Sequence, residues 1–477
     1  MVEKERKVVT QQELSKHRWK DDLWTVIDNK VYDITEFAKR HPGGNLILSS
    51  GGVDATEMYH QYHFEFRRRT DAILNKLPCK GKFEKSSPII GEFYGECGRR
   101  VAEYLKGKPR HPLRAQILYI IDLLSFLGLL SVSWLLDPKV TDMRITFALW
   151  FYFFFVASSR ITQQGHALGH YMIFGPKLTE FFDHIHTILP IGSYTAFSLT
   201  ETGNFREAMH LSRKESQSEY YFRGPYEHQA IHHTKGASLE DDGCLAMTKV
   251  GGIFRLSDED EYRWYHKYQN TYVFTTLVWT AMGFIHQTIG HLALKIGNLK
   301  RYPPQEFGRI FCCLVSFIPT FLQTRFWILP LLYGTPAAFL IFFVLFNLAL
   351  HLSLLTTFGE WFFAQHRWEI RLPEDLARKD WGRYNLETTC SFQPTHSLHP
   401  FTWFQDGTNG STLSYHTEHT LFPGMNYLYT KEVAPIIEKC ANEFGFEYFK
   451  LVGASTLSKY RSSSMEKYSN PTKVKGS

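Results

Sequence analysis

The sequence has few of the features that mark secreted or thiolate-based proteins. Only seven cysteines occur in 477 residues. None has the paired spacing of a zinc-thiolate site, so we expect free thiols in a reducing compartment. The first residues, MVEKERKVVTQQELSKHRWKDD, are highly charged and contain no apolar core. This argues against a cleaved signal peptide and favours a cytosolic N-terminus. No internal repeat or low-complexity tract is evident.

The overall charge and hydropathy do not identify the class of protein. The formal net charge is +6 and the mean hydropathy is −0.24, values that a soluble protein could also have. The apolar residues, however, are concentrated in a few long runs, and those runs indicate a membrane protein. Aromatic residues make up 16% of the chain. This content suits membrane interfaces and a channel for an apolar substrate, although core packing explains most single rings.

Residues 117–136 form an apolar run that is interrupted only by Asp122. A helix of this length, rising about 1.5 Å per residue, can cross a bilayer core of about 30 Å. Basic residues are frequent before the run and sparse after it. The positive-inside rule therefore places its N-terminal side in the cytosol, and we predict a first transmembrane helix here.

Four further apolar stretches lie at residues 145–159, 271–294, 310–334 and 336–358. Histidine-rich polar segments lie on both sides of the last three. If those segments share one site on one membrane face, an even number of the three stretches must cross. We expect 271–294 not to cross, because its two histidines would be costly at bilayer depth. This predicts about four transmembrane helices; three crossings in this region is the alternative.

Residues 8–85 are predicted to form a small α+β domain. The segment WTVIDNKVYDITEFAKRHPGG has a short alternating strand, a polar turn and the start of a helix. The HPGG motif and the following GGVDATEMYHQYH resemble the cytochrome b5 family, in which two histidines bind the haem iron axially. The resemblance implies His41 and His63 as haem b ligands, with His60 as the alternative. Axial ligation by two histidines fills both positions and makes the haem an electron carrier.

Three histidine clusters lie beside the apolar runs. HALGH at 166–170 has an i, i+4 spacing that puts both imidazoles on one helix face. HQAIHH at 228–233 adds a third imidazole about 100° further round the helix, able to reach a second metal. HTEH at 416–419 has an i, i+3 spacing. Because imidazole suits iron, zinc and copper, the clusters predict a metal site.

This arrangement resembles the membrane fatty acid desaturase family, whose histidine boxes hold two irons at the cytosolic face. The fused haem domain, the HxxxH first box, LEDDG after the second box and DW...ETT at 380–389 resemble its front-end branch. That branch inserts double bonds on the carboxyl side of existing ones. The resemblance implies a di-iron ligand set of His166, His170, His228, His232, His233, His366, His416 and His419.

The third box departs from the front-end pattern. That branch usually reads QxxHH, whereas this chain has His416 at the first position and Thr420 at the last. Loss of a ligand would weaken one iron site. Residues that could replace it are His396, His399 and Asn409. We interpret His184, His186 and His210 as structural.

The resemblance implies a membrane-bound, dioxygen-dependent desaturase with haem b and two non-haem irons as cofactors. NADH-cytochrome b5 reductase would be the electron donor, and a fatty-acyl lipid or acyl-CoA the substrate. The lipid bilayer is an expected partner and nucleic acid is not. One alternative is a desaturase or hydroxylase of fatty-acyl chains or sphingolipid long-chain bases. Another is a non-catalytic haem- and lipid-binding protein.

The predicted organisation has four parts. Residues 8–85 are the haem domain, 86–113 a linker and pre-membrane segment, and 114–455 an all-α multi-pass desaturase domain with a cytosolic helical cap. The Ser/Lys-rich tail at 456–477 is predicted to be disordered. Lys473 and Lys475 resemble a dilysine retrieval signal. We therefore expect an endoplasmic reticulum membrane protein with both termini cytosolic.

Overall fold

The computed structural model describes residues 7–19, 21–135, 158–179, 181–182, 233–235, 255, 261–271, 367, 374–393, 415–452 and 454–470. The four later apolar stretches lie outside these ranges except at residues 158–159 and 271. Several predicted or alternative site residues also lie outside them, namely His228, His232, His366, His184, His186, His210, His396, His399 and Asn409. The proposed retrieval signal lies outside them as well.

The N-terminal part is a five-stranded sheet with short helices packed on it. Its strands are β1 (Val8–Val9), β2 (Arg18–Trp19), β3 (Asp22–Ile27), β4 (Lys30–Asp33) and β5 (Cys79–Phe83), in the order β1-β5-β4-β3-β2. β1 is parallel to β5, and the other pairs are antiparallel. Its helices are α1 (Gln11–Leu14), α2 (Thr35–Ala38), α3 (Thr56–His63) and α4 (Arg67–Leu74), with 3-10 turns at Gly44–Ser50 and Phe64–Phe66.

β3 and β4 form a tight hairpin. Asp28 and Asn29 connect them with φ values of 49° and 66°. A two-residue type I′ turn requires such left-handed values, and Asp and Asn tolerate them better than most residues. Val26 pairs with Val31, and both are fully buried in the core of the sheet. The predicted strand, polar turn and helix start are thus confirmed.

The rest of the described chain is mainly helical. Its helices are α5 (Glu92–Leu105), α6 (Leu113–Leu135), α7 (Ser158–Gly169), α8 (His233–Lys235), α9 (Glu374–Lys379), α10 (Trp381–Thr388), α11 (His416–Leu421), α12 (Thr430–Glu443) and α13 (Ala454–Lys467), with 3-10 turns at Trp264–Tyr268 and Tyr427–Tyr429. Two short strands, β6 (Ser391–Gln393) and β7 (Lys450–Val452), pair in parallel. The prediction of an all-α domain is therefore wrong here. Three-residue strands are too short for alternation to reveal.

The segment predicted as a linker contains α5, which belongs to the core. Phe93, Cys97 and Val101 are buried at successive i, i+4 positions and form the apolar face of the helix. They belong to one cluster with Leu421 of α11 and Ile437 of α12. Residues 92–105 are thus a packed helix and not a linker. The polar residues on the outer face of the helix make the segment look like a linker in the sequence.

Helix α6 covers residues 117–135 of the first predicted apolar run. Tyr119 and Phe126 are buried against Leu168 and Met172, from α7 and the turn that follows it. Asp122, the one charge in the run, is buried and accepts a 2.9 Å hydrogen bond from the side chain of Gln164. Among the residues that the structure describes, no helix combines the length and the apolar character needed to cross a membrane. The predicted crossings therefore stay predictions.

The predicted disordered tail is helical over much of its length, since α13 extends to Lys467. Met465 and Tyr468 are buried. The carbonyl oxygen of Met465 accepts a 2.8 Å hydrogen bond from Gln269, and that of Asn470 accepts one of 2.7 Å from Arg255. The prediction is wrong for residues 456–467, because composition alone does not reveal these anchors. The four described cysteines are free thiols, as predicted.

Candidate haem pocket and histidine cluster

A cavity of about 400 Å³ opens beside α3 in the N-terminal domain. Its walls are mostly apolar and include Phe37, Leu46 and Met58. His41 and His63 both line it, with ring centroids 6.1 Å apart. A metal about 2 Å from one nitrogen of each of two opposed imidazoles would separate the ring centres by about 6 Å. The spacing therefore fits an iron held between the two histidines.

Both imidazoles are prepared for metal binding. Nδ1 of His63 lies 2.8 Å from the carbonyl oxygen of Tyr59, so Nδ1–H donates there and Nε2 is left for a metal. Burial lowers the pKa of His41 and of His63 to about 4. Both side chains are therefore neutral at pH 7, the form that binds metals. His60 instead places Nε2 3.1 Å from the carboxylate of Asp28 and does not line the cavity.

Gly43 of the HPGG motif lies so close to the His41 ring that a side chain would not fit there. A Cβ at this position would lie 2.9 Å from Cε1 of His41, which is closer than a real side chain could approach. Gly44 has a φ of 61°, a left-handed value that glycine adopts readily. The two glycines thus allow the backbone to fold closely around the first histidine.

A second site consists of four histidines in the part of the chain after the haem domain. One ring nitrogen from each of His166, His170, His233 and His419 lies within 4.8 Å of the others. Nε2 of His170 and Nε2 of His233 are 3.0 Å apart. The His419 ring centroid lies 4.5 Å from that of His170 and 4.7 Å from that of His233. Imidazoles this close can bind a common metal, because metal–nitrogen bonds are about 2 Å long.

Three separate elements supply these histidines. α7 carries His166 and leads into His170, whose N–H donates to the carbonyl of His166. Their ring centroids are 4.8 Å apart, which confirms that the i, i+4 pair shares one face. His419 lies on α11, and His233 begins α8.

Four of the eight predicted metal ligands are thus brought together. His416 is buried, but its ring centroid is 6.2 Å from that of His419 and it is not one of the four. The remaining three, His228, His232 and His366, lie outside the described residues. The metal roles of these four residues stay predictions.

Helix α10 supports the backbone around His233. The side-chain nitrogen of Asn385 donates to the carbonyl of His233 at 3.1 Å, and Trp381 Nε1 donates to that of Thr234 at 2.7 Å. Asp380 caps the helix by accepting the N–H of Arg383. The sequence identified the DW...ETT stretch only as a family feature. Two of its side chains hold the backbone of His233 and Thr234 in place.

Glu418 is a further buried residue that the sequence did not single out. It lies between the two histidines of α11 and accepts hydrogen bonds from the hydroxyls of Ser391, at 2.9 Å, and Tyr448. Burial raises the pKa of its carboxyl group to about 7. These contacts attach α11 to β6 and to the segment before β7.

The haem domain contacts the histidine cluster through α3. The side-chain amide of Gln61 donates to the carbonyl oxygens of His233, at 3.1 Å, and of Thr420, at 2.6 Å. The Phe64 ring packs with its centroid 4.5 Å from that of Phe422. The cavity between the two haem-domain histidines also reaches His170. The two candidate sites are therefore neighbours.

Comparison with known families agrees with this layout. Residues 10–84 match the cytochrome b5-like heme/steroid binding domain, and residues 221–452 match the fatty acid desaturase family. The chain is thus an oxidoreductase that combines a cytochrome b5-like domain with a desaturase domain. More specifically, it is a fatty acid desaturase with a fused cytochrome b5-like domain, as the sequence motifs predicted.

Several curated proteins match along most of the chain. An acyl-lipid (8-3)-desaturase of Physcomitrium patens is 26% identical over 470 residues, which cover 93% of this chain and 87% of that protein. Acyl-lipid (8-3)-desaturase B of Dictyostelium discoideum is 24% identical over 457 residues, or 93% and 90% of the two chains. The cytochrome b5 of Rhizopus stolonifer is 56% identical over 54 residues, 11% of this chain and 41% of that protein.

Proposed function

We propose that this protein is a di-iron, dioxygen-dependent front-end desaturase of a fatty-acyl chain, supplied with electrons by its own haem domain. The observation that carries the proposal is the position of the four-histidine cluster directly beside the haem cavity. The full-length relatives named acyl-lipid (8-3)-desaturases support an acyl-lipid substrate and the front-end type.

Two histidines, His41 and His63, would hold haem b. Haem held by these two side chains would carry single electrons and would not bind oxygen. The residues around these ligands keep them neutral and orient them, since burial disfavours protonation and the carbonyl of Tyr59 fixes the His63 tautomer. His60 is bound by Asp28 and is not expected to be a ligand.

The described histidine cluster would provide part of the di-iron site, with His228, His232, His366 and His416 completing the set. Removal of hydrogen from an unactivated methylene group requires a strong oxidant. When bound, two irons would supply the dioxygen chemistry that generates it. The protein contributes imidazoles on three elements. The hydrogen bond from Asn385 to the His233 carbonyl and the burial of the cluster keep these imidazoles in place and exclude water.

The apolar runs in the sequence support a membrane-bound enzyme with about four crossings, located in the endoplasmic reticulum with both termini cytosolic. NADH-cytochrome b5 reductase is the proposed electron donor. Acyl-CoA and sphingolipid substrates, and hydroxylation in place of desaturation, remain alternatives within the same chemistry.

One observation favours a non-catalytic haem- and lipid-binding protein. The position where front-end enzymes have a last histidine is Thr420, whose hydroxyl forms a hydrogen bond with Asn385. The side chain at this position therefore has a structural role. Iron content separates the two functions, because the binding protein needs no non-haem iron.

The test has two parts. Purified protein should contain about two non-haem irons per haem, and a host that expresses the chain should accumulate a fatty acid with a new double bond on the carboxyl side of an existing one. His233→Ala and His419→Ala should each abolish the product and keep the haem spectrum. Protein without non-haem iron, in a host whose lipids are unchanged, would refute the proposal.

A further inference from the structure

One residue of the haem domain, Tyr62, contacts both candidate cofactor sites. It lies on α3 directly before His63, and its side chain lines the same cavity as the two haem-domain histidines. Its hydroxyl oxygen lies 2.9 Å from Nδ1 of His170, which belongs to the four-histidine cluster. This contact joins residues 108 positions apart, so it exists only in the folded protein.

His170 is oriented for metal binding by this contact. Its Nε2 lies inside the cluster, 3.0 Å from Nε2 of His233, whereas Nδ1 lies next to the Tyr62 hydroxyl. A metal-binding imidazole usually donates its other N–H to an oxygen that fixes its tautomer and ring orientation. Tyr62 provides that oxygen. Nδ1–H of His170 therefore donates to Tyr62, and Nε2 is left for the metal.

Close packing holds the Tyr62 ring. It is buried in one cluster with Leu46, Ala55 and Met58. On another side lies Gly424, where an added Cβ would be 3.0 Å from Cδ1 of Tyr62. The neighbouring Gln61 ties α3 to the backbone of the cluster. The hydroxyl therefore stays within reach of His170.

We propose that Tyr62 is a positioning residue for His170 and the junction through which electrons pass from the haem site to the metal site. This rests on the proposed function, because it requires haem between His41 and His63 and a metal at the cluster. The route follows covalent bonds from His63 to Tyr62 and crosses to His170 through the hydrogen bond. One electron lost at the haem is gained at the metal; no covalent bond forms or breaks, and the proton stays on Nδ1.

Tyr62→Phe in the full-length holoprotein tests this inference, because it removes only the hydroxyl. Tyr429→Phe is the control. It also removes only a hydroxyl, but that hydroxyl donates to the carbonyl of Pro109 at 2.9 Å and lines neither candidate site. Two quantities are measured: the affinity for non-haem iron in competition with a chelator, and the rate of haem reoxidation after flash reduction by one electron without oxygen.

Tyr62→Phe should keep the low-spin haem spectrum and bind non-haem iron about 10- to 100-fold more weakly. At saturating iron it should lose the fast phase of haem reoxidation. Tyr429→Phe should match the wild-type protein in both iron affinity and reoxidation rate.

Unchanged iron affinity and rate in Tyr62→Phe would overturn the inference. Loss of the haem spectrum in that variant would overturn it too, since it would show a role only in folding the haem domain. Weaker iron binding with an unchanged rate would support the positioning role and overturn the electron route. If the wild-type protein itself holds no non-haem iron, both the proposed function and this inference fail.

Discussion

The hydroxyl of Thr420 donates a 2.9 Å hydrogen bond to the side-chain oxygen of Asn385. The nitrogen of the same amide donates to the carbonyl of His233 at 3.1 Å. Thr420 is only 1% exposed. Thr420 stands where front-end enzymes have the last histidine of the box. Through Asn385 of α10 it links α11 to the backbone of His233. This link helps to hold the third box in position.

Thr420→Val should destabilise the protein by about 1–3 kcal/mol, because the buried oxygen of Asn385 loses its donor. Unfolding of detergent-solubilised protein, followed by far-ultraviolet circular dichroism, measures the effect. Thr70→Val is the control, since the hydroxyl of Thr70 bonds backbone carbonyls of its own helix region and is at least partly exposed to solvent. Equal unfolding midpoints for the two variants would contradict the role assigned to Thr420.

The two histidines of α11 should differ when they are replaced. His419 is one of the four clustered imidazoles, whereas His416 is predicted to bind a second iron. His416→Gln should lower the non-haem iron content from about two to about one per haem, and His419→Ala should lower it further. Iron analysis of purified variants decides this. A full iron complement in His416→Gln would remove His416 from the ligand set.

Haem binding should depend on His63 and not on His60. His63 faces His41 across the cavity, with ring centroids 6.1 Å apart, whereas His60 is bound by Asp28. His41→Ala and His63→Ala should each abolish the low-spin haem spectrum, and His60→Ala should largely preserve it. Loss of the spectrum in His60→Ala but not in His63→Ala would overturn this ligand assignment.

Local patterns in the sequence predicted the parts of the fold that depend on local physics. The β3–β4 hairpin follows from alternation around Asp28 and Asn29, and the shared face of His166 and His170 follows from the helical period. The family signature around HPGG likewise identified the domain whose cavity the structure shows.

Contacts between distant parts of the chain were not predictable in this way. The hydrogen bond between Tyr62 and His170 could not be predicted from either segment, because each side chain is also an ordinary member of its own motif. The helical tail was missed for the same reason. Its buried Met465 is one apolar residue among serines and lysines, and its partner Gln269 lies 196 positions away.

Acid should weaken the attachment of α5 to α12. Arg100 binds Glu96 at 2.7 Å and Glu443 at 2.5 Å. Hydrogen bonds from Arg99 and Arg100 lower the pKa of Glu96 to about 2, and Arg100 lowers that of Glu443. Because both values are depressed in the folded state, the stabilisation is complete above the ordinary value of 4.5 and is lost as pH falls towards 2.

Glu443→Gln should therefore lower the unfolding temperature slightly at pH 7 and reduce its decline as pH falls below 4.5. The effect is small, since exposed ion pairs are screened by solvent. Glu103→Gln is the control, because Glu103 reaches Arg99 at 3.4 Å within the same helix and does not bridge to α12. If Glu443→Gln and the wild-type protein lose stability in parallel as pH falls, the Arg100–Glu443 pair does not stabilise the contact between the two helices.

Arg110 should raise the haem midpoint potential. Arg110, in the segment before α6, lines the haem cavity, and its guanidinium carbon lies 5.9 Å from the Phe66 ring centroid. Burial is the main cause of the lowered pKa of His41 and of His63, and the charge of Arg110 lowers both values further. The electric field of Arg110 therefore reaches both histidines. A nearby positive charge stabilises the reduced haem, which carries one positive charge fewer than the oxidised form, and so raises the midpoint potential.

Arg110→Gln should accordingly lower the haem midpoint potential. An exposed charge interaction of about 0.5–1 kcal/mol corresponds to roughly 20–40 mV for a one-electron couple. Lys108→Gln is the matched control, because Lys108 lies two residues earlier with its Nζ 3.4 Å from the Tyr104 ring centroid and does not line the cavity. Potentiometric titration at low and high salt measures both variants. The Arg110→Gln shift should shrink at high salt because ions screen exposed charges. A shift no larger than that of Lys108→Gln would mean that the pre-membrane segment does not tune the haem.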